Sequence, residues 1–255
     1  MTLSLFEPPS PGAHGNPAAL EDLHPALWRA HQLGRPGVST WRSGFAALDA
    51  ELPGGGWPAG TLAELLLPHP GVGEMRLLAP ALAAVQRQRR SVMLLAPPAQ
   101  PCAWAWQGLG LALHEMVVVE GAGAPGAHDL LWALEHALRS GHLGAVLAWL
   151  PARLPAEALR RLQLAAQHHD GPAFLLRGAA AAAQFSPATL RCLLEPAGHD
   201  ALCLRLLKRR GPPREAPLRL ALPPVLPAVT ARRHGHAAPL PPAAAGTRPT
   251  ALAGR

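Results

Sequence analysis

The chain has 255 residues, 49% of them hydrophobic and 15% charged, enough for the core of one sizeable domain with tails and too few for two full domains. Its 30 Pro and 25 Gly would suit a disordered composition, but Ile and Tyr are absent, Lys208 is the only Lys and Asn16 the only Asn, a pattern set by GC-rich codon usage. The net charge of +7 is local: 9 basic and 1 acidic residues follow Leu207, against 14 basic and 15 acidic before it, so a neutral body carries a basic end. The opening MTLSLFEPPSPG offers no basic, apolar leader and no run reaches the roughly 18 apolar residues of a membrane span, which predicts a cytoplasmic chain without a membrane partner. Cys102, Cys192 and Cys203 are odd in number and unpaired in spacing, as expected of reduced thiols.

Residues 1–37 are expected to form a Pro/Gly-rich segment with one short helix, Leu23 to Leu33, on which Leu23, Leu27, Trp28 and Leu33 recur at roughly helical spacing. The body, residues 38–222, alternates apolar strands with helices. Strands are predicted over 62–67, 91–96, 116–120, 145–150 and 173–177, and helices over 76–90, 101–113, 127–140 and 156–168. Such alternation implies a parallel sheet covered on both faces. Short alternating strands at 189–195, 202–207 and 218–222 imply an antiparallel extension, and 223–255 reads as a Pro/Ala/Arg-rich disordered tail.

The turn between the first apolar strand and the first helix is LPHPGVGEM. In the frame of a phosphate-binding loop, G-x-x-x-x-G-K-[ST], it places Pro68 at the first Gly, Gly73 at the second, Glu74 at the Lys and Met75 at the Ser/Thr, with Gly71 between. A carboxylate replaces the ammonium that would meet a phosphate. The strand AVLAW ends in Trp149 where a magnesium-ordering acid is needed, and Pro98 stands near the position of a water-activating Glu. Phosphoryl transfer rests on these electrostatic groups, so the chain is expected not to be an enzyme, to hold no nucleotide and to need no cofactor. The strings GLGLAL and GAGAPG lack the context of a dinucleotide fingerprint and read as loops. His168-His169 and His234-Gly-His236 stand apart from acid or Cys clusters; surface histidines are expected there, and no metal site.

The run STWRSGFAALDAELPGGGWPAGTLA (39–63), with Gly44, Leu48, Asp49, Gly54-Gly55-Gly56, Pro58 and Gly60 in order, resembles the opening of a RecA core. The likeness continues to LCLRLLKRRGPPREAPLRLAL, similar to the last two strands of that core. With the degenerate loop, the helix around Trp28 and the LLKRR ending, the chain most resembles the ImuA family. The resemblance implies an α/β, RecA-like fold with a mostly parallel central sheet and antiparallel C-terminal strands. It also implies a non-catalytic accessory role in SOS-induced, error-prone translesion synthesis, with ImuB and a DnaE2-type polymerase as partners, and RecA as a further one. In the RecA likeness, Lys208 and Arg210 match basic residues that reach a neighbouring subunit's nucleotide, and Leu27 and Trp28 match a helix that docks on an adjacent subunit.

Candidate partner-binding residues are therefore Leu27, Trp28, Lys208, Arg209, Arg210, Arg232 and Arg233. Two alternatives stand beside this reading. One is the SOS cell-division inhibitor SulA, a related degenerate RecA-like fold. The other is weak, non-specific DNA binding through the basic tail, although no aromatic residue follows Phe185 for bases to stack on.

Overall fold

The computed structural model describes residues 39–120 and 126–224. The chain enters through two short strands, β1 (Thr40–Trp41) and β2 (Trp57–Pro58), which pair antiparallel on either side of a one-turn helix, α1 (Ala46–Asp49). The glycine run before β2 has a steric cause: a Cβ on Gly56 would lie 2.4 Å from the Trp41 carbonyl oxygen. Two-residue strands carry no periodicity, so this ribbon is not among the expected elements.

The main body alternates as the apolar pattern predicts. It runs β3 (Leu62–Leu67), α2 (Glu74–Arg87), β4 (Ser91–Leu95), α3 (Ala103–Gly108), β5 (Met116–Val119), α4 (Ala127–Arg139), β6 (Leu143–Trp149), α5 (Ala156–Ala166) and β7 (Ala173–Gly178). Three strands follow, β8 (Leu190–Pro196), β9 (Ala201–Lys208) and β10 (Leu218–Ala221). All eight from β3 onward form one sheet in the order β10-β9-β8-β3-β7-β6-β4-β5. From β8 to β5 the neighbours are parallel, and β9 and β10 add antiparallel.

Both faces of the sheet's centre are buried. Ala63, Leu65, Ala145, Leu147, Phe174 and Leu176 pack under α2, through Leu77, Leu78, Leu82 and Val85. The alternate residues Leu62, Val146, Ala148, Ala173 and Leu175 pack under α4 and α5, through Leu134, Leu138, Leu159 and Leu162. Strand residues pointing up and down thus both find helices, which is why these strands read as continuous apolar runs.

All four helices end short of their expected limits, and glycines account for the two clearest differences. The helix expected over 101–113 ends at Gly108, and a 3₁₀ turn takes up Leu113–Glu115, because Gly110 sits at φ +81° where a helix cannot continue. The α2 helix starts at Glu74, two residues early, because Gly73 serves as its N-cap in the left-handed region. Among the described residues, no helix is long and apolar enough to cross a membrane, and the three cysteines are free.

Candidate functional site

The LPHPGVGEM turn leaves the carboxyl end of β3, an interior strand, and enters the N-terminus of α2. Gly71 and Gly73 take φ +86° and +118°, which turns the chain back sharply toward the helix. Pro68, His69, Pro70 and Gly71 are exposed, while Val72, Gly73 and Glu74 are buried and Met75 half-buried.

The Glu74 side chain folds back into its own loop. Its Oε1 accepts the Gly71 N–H at 2.7 Å and its Oε2 the Gly73 N–H at 3.1 Å, and the residue is only 4% exposed. A helix N-terminus with converging N–H groups favours an anion. Here that anion is covalently part of the chain. In the sequence Glu74 reads as a charge set against a phosphate; in the fold its carboxylate is the acceptor of the Gly71 and Gly73 amides.

The cation beside the loop is also engaged. Arg76 donates to Asp200 Oδ1 at 2.6 Å, to the His199 carbonyl at 3.2 Å and to the Pro223 carbonyl at 3.4 Å, tying α2 to the β8–β9 hairpin and the end of the described core. Leu222 closes the loop from the same side: a Cβ on Gly73 would lie 2.6 Å from Leu222 Cδ1. At the two further positions that the RecA resemblance compares with nucleotide-site acids, Trp149 ends β6 with its indole N–H buried and unpartnered among the described residues, and Pro98 lies exposed after β4. Glu120, an acid far from Pro98 in sequence, comes to that loop through Gln100, whose amide donates to it at 2.7 Å.

The basic cluster after β9 divides. Lys208, exposed, donates to the Ser186 carbonyl at 2.9 Å. Arg210 is exposed and makes no side-chain hydrogen bond or ion pair among the described residues. Arg209 turns inward, donating to Glu51 Oε2 at 2.7 Å and to the Glu51 carbonyl, and Arg214 pairs with the same carboxylate. Of the three basic residues, Arg209 thus braces the opening of the core. Beside Lys208 lie Phe185 and Leu207, 67% and 40% exposed, which give this end of the sheet an apolar margin. Leu27, Trp28, Arg232 and Arg233, with the tail and His234 and His236, lie outside the described residues.

Two buried groups are not legible as sites in the sequence. Glu64, inside the apolar run of β3, is wholly buried between two guanidinium groups: Arg177 of β7 donates to Oε1 and Arg191 of β8 to Oε2, each at 2.6 Å. Arg191 is Glu64's register partner and Arg177 lies two positions along the other neighbouring strand. The remaining donors reach carbonyls of Pro151, Ala152, Ala181 and Gln184. The only signal in the sequence is one acid in LAELLL with arginines in two later strands.

His169, expected at the surface, is 1% exposed with neither ring nitrogen partnered among the described residues. Burial, with the Arg90 charge nearby, drops its pKa to about 4, against the opposing pull of Asp170 and the Pro172 backbone. Its place is structural, since its own carbonyl accepts the Gly60 N–H at 2.9 Å. Among the described residues no group of three or more His, Cys, Asp or Glu could hold a metal ion.

No curated protein matches the chain. A family model does: the one described as cell division inhibitor SulA matches residues 60–173, from the strand before the loop to the start of β7. Over that stretch, which contains the loop after β3 and the connections between the parallel strands β3 to β7, the chain is similar to an SOS-related, SulA-type family.

Proposed function

We propose that this protein is a non-catalytic accessory factor of the SOS response that works through protein contact. The observation that carries this reading is the Glu74 carboxylate seated on the Gly71 and Gly73 amides. A loop that satisfies its donors internally has nothing left to hold a nucleotide's phosphates, and neither Trp149 nor Pro98 could order magnesium or activate water. The strand order, with the loop strand inside a parallel sheet and two antiparallel strands beyond, supports the RecA-like reading.

Within this role, the favoured finer reading is support of error-prone translesion synthesis, with ImuB and a DnaE2-type polymerase as partners and RecA as a further contact. It draws on the likeness of 39–63 and 202–222 to the ends of a RecA core, stretches that fall largely outside the matched 60–173. Lys208 and Arg210, beside Phe185 and Leu207, form the surface offered to the partner.

The second reading, inhibition of cell division, is favoured by the family match itself. The two separate in one experiment. Damage-induced mutation frequency and cell length are measured in a deletion strain and on overexpression, with calorimetric titration of magnesium–ATP into the purified protein. Lost mutagenesis with normal length and no heat of nucleotide binding supports the accessory role. Filamentous cells on overexpression with mutagenesis intact would transfer the assignment to division control, and saturable ATP binding would overturn the non-nucleotide reading of both.

A further inference from the structure

Helices α4 and α5 lie side by side on one face of the sheet and leave between their first halves a cleft of about 330 Å³. Leu131, Trp132, Ala158 and Leu162 line it. Of its two acids, Glu157 is exposed, and Glu135 is held by Arg161 across the cleft at 2.5 Å and by Arg139 along α4 at 3.0 Å, so an apolar floor is fastened by an ion pair at the rim. Trp132 is 57% exposed and Leu164, further along the same flank of α5, is 55% exposed. The outer face of a sheet-covering helix is ordinarily polar, so Trp132, stacked on His136 of its own helix with ring centroids 4.2 Å apart, offers at the cleft an apolar surface that a further segment can cover.

We propose that the occupant is the chain's own segment Leu23 to Leu33, docked in cis with Leu27 and Trp28 over the cleft. The place where the chain joins the described core decides this. The Ser39 carbonyl accepts the Ala59 N–H at 2.9 Å, Ala59 bridges Pro172, and the Trp41 indole donates to the Asp170 carbonyl at 3.4 Å. The described core therefore begins, at Ser39, beside the loop that follows the C-terminal end of α5. Residues 34–38, extended at about 3.3 Å each, span up to about 17 Å. The climb from Ala166 back to Ala158 along α5 is about 12 Å at roughly 1.5 Å per residue.

Docked in this way, Leu33 would come within reach of Leu164, and a helix over Leu23 to Leu33 would run parallel to α5, with Leu27 and Trp28 at the cleft one to two turns on. Pro25 suits the first turn of that helix. Glu21 and Asp22, which precede it in the sequence, would then fall toward the exposed Arg153 in the turn before α5. In this arrangement Trp28 is an internal anchor that a partner must displace, in place of a standing hot spot on the surface. The inference is independent of the SOS reading.

Hydrogen exchange on the full-length protein tests it. The peptide over Leu23 to Leu33 is expected to exchange at least about tenfold more slowly than its chemical rate. Trp132→Asp should abolish that protection and leave peptides of β3 and β6 unchanged. If Trp132→Asp disturbs the sheet, Leu27→Asp, altered outside the described core, takes its place and should both deprotect the segment and raise iodide quenching of tryptophan fluorescence. Exchange of 23–33 at the chemical rate in the wild type, or protection indifferent to these substitutions, overturns the proposal. Protection that grows with protein concentration together with a dimer in sedimentation places the segment on a second copy and overturns docking in cis.

Discussion

Glu64 is held between Arg177 and Arg191 inside the core, where the triad is almost closed to water and carries one formal net positive charge. Removing one member of such a cluster leaves charges buried without a partner, whereas replacing all members with apolar groups of similar volume can be neutral. Glu64→Gln is therefore expected to lower stability by about 3–5 kcal/mol in urea unfolding. The triple variant Glu64→Leu, Arg177→Met, Arg191→Leu should lose far less than Glu64→Gln alone; a larger loss would show that the carbonyls around the guanidinium groups depend on those donors.

His169 gives a pH dependence of definite sign. In the fold its pKa is about 4 against an ordinary 6.5, so between those values the unfolded chain binds the extra proton. Its contribution is present in full above about pH 6.5 and is lost toward pH 4, at up to about 1.4 kcal/mol per pH unit. Urea midpoints measured from pH 7 to pH 4.5 should fall with this slope in the wild type and flatten in His169→Phe. An equal slope in both would assign the acid sensitivity to other groups.

For the loop and α2 as one element, Glu74 acts as cap, filler and internal anion together. Glu74→Ala strips the Gly71 and Gly73 amides of their acceptor, at an expected cost of about 1–3 kcal/mol. That loss should shrink in phosphate or sulfate buffer if an external anion can enter the vacated cradle, which thermal unfolding in matched ionic strengths would show. Gly73→Ala acts by sterics, since the position is left-handed and a Cβ meets Leu222 at 2.6 Å; it should lower the melting temperature while leaving salt response unchanged. At the other end of the sheet, Lys208→Glu with Arg210→Glu concerns exposed side chains, so the fold should be unaffected while partner capture weakens, and more steeply at low salt. Unchanged capture at every ionic strength would remove this strand end from the interface.

For the whole molecule, the described fold ends just past β10, with four of the nine basic residues that follow Leu207 beyond it. Leu222 donates its N–H to the Asp200 carbonyl and fills the space over Gly73, and the Pro223 carbonyl accepts from Arg76, so the core runs to Pro223. A chain ending at Pro224 is expected to keep the melting temperature of the full protein. Arg232, Arg233, Arg248 and Arg255 leave with the tail. If the tail holds phosphates, the slope of log affinity for single-stranded DNA against log salt should fall by up to about 3 units, at about 0.7 for each phosphate that an arginine had neutralised. A truncated protein that unfolds would instead make the tail part of the core.

What the sequence determined by itself was whatever depends on local pattern. Apolar runs of strand length alternating with helical periods specified the main strands and long helices, because burying both sheet faces leaves no choice but continuous hydrophobicity in the strands. That Glu74, Pro98 and Trp149 stand where a phosphate-loop frame would put a Lys and acids is likewise a matter of identity at a spacing. Tertiary structure decided everything that depends on which distant groups meet. It folded Glu74 into the loop instead of leaving it outward, turned Arg209 onto Glu51 while leaving Arg210 exposed, and gathered Glu64, Arg177 and Arg191 from three strands that are neighbours only in the sheet. His169 went inside because the turn before β7 packs against the strand ribbon at Gly60. Local pattern reports the solvent a residue prefers; only the assembled sheet and its crossovers supply the partner that lets a charge or an imidazole go without that solvent.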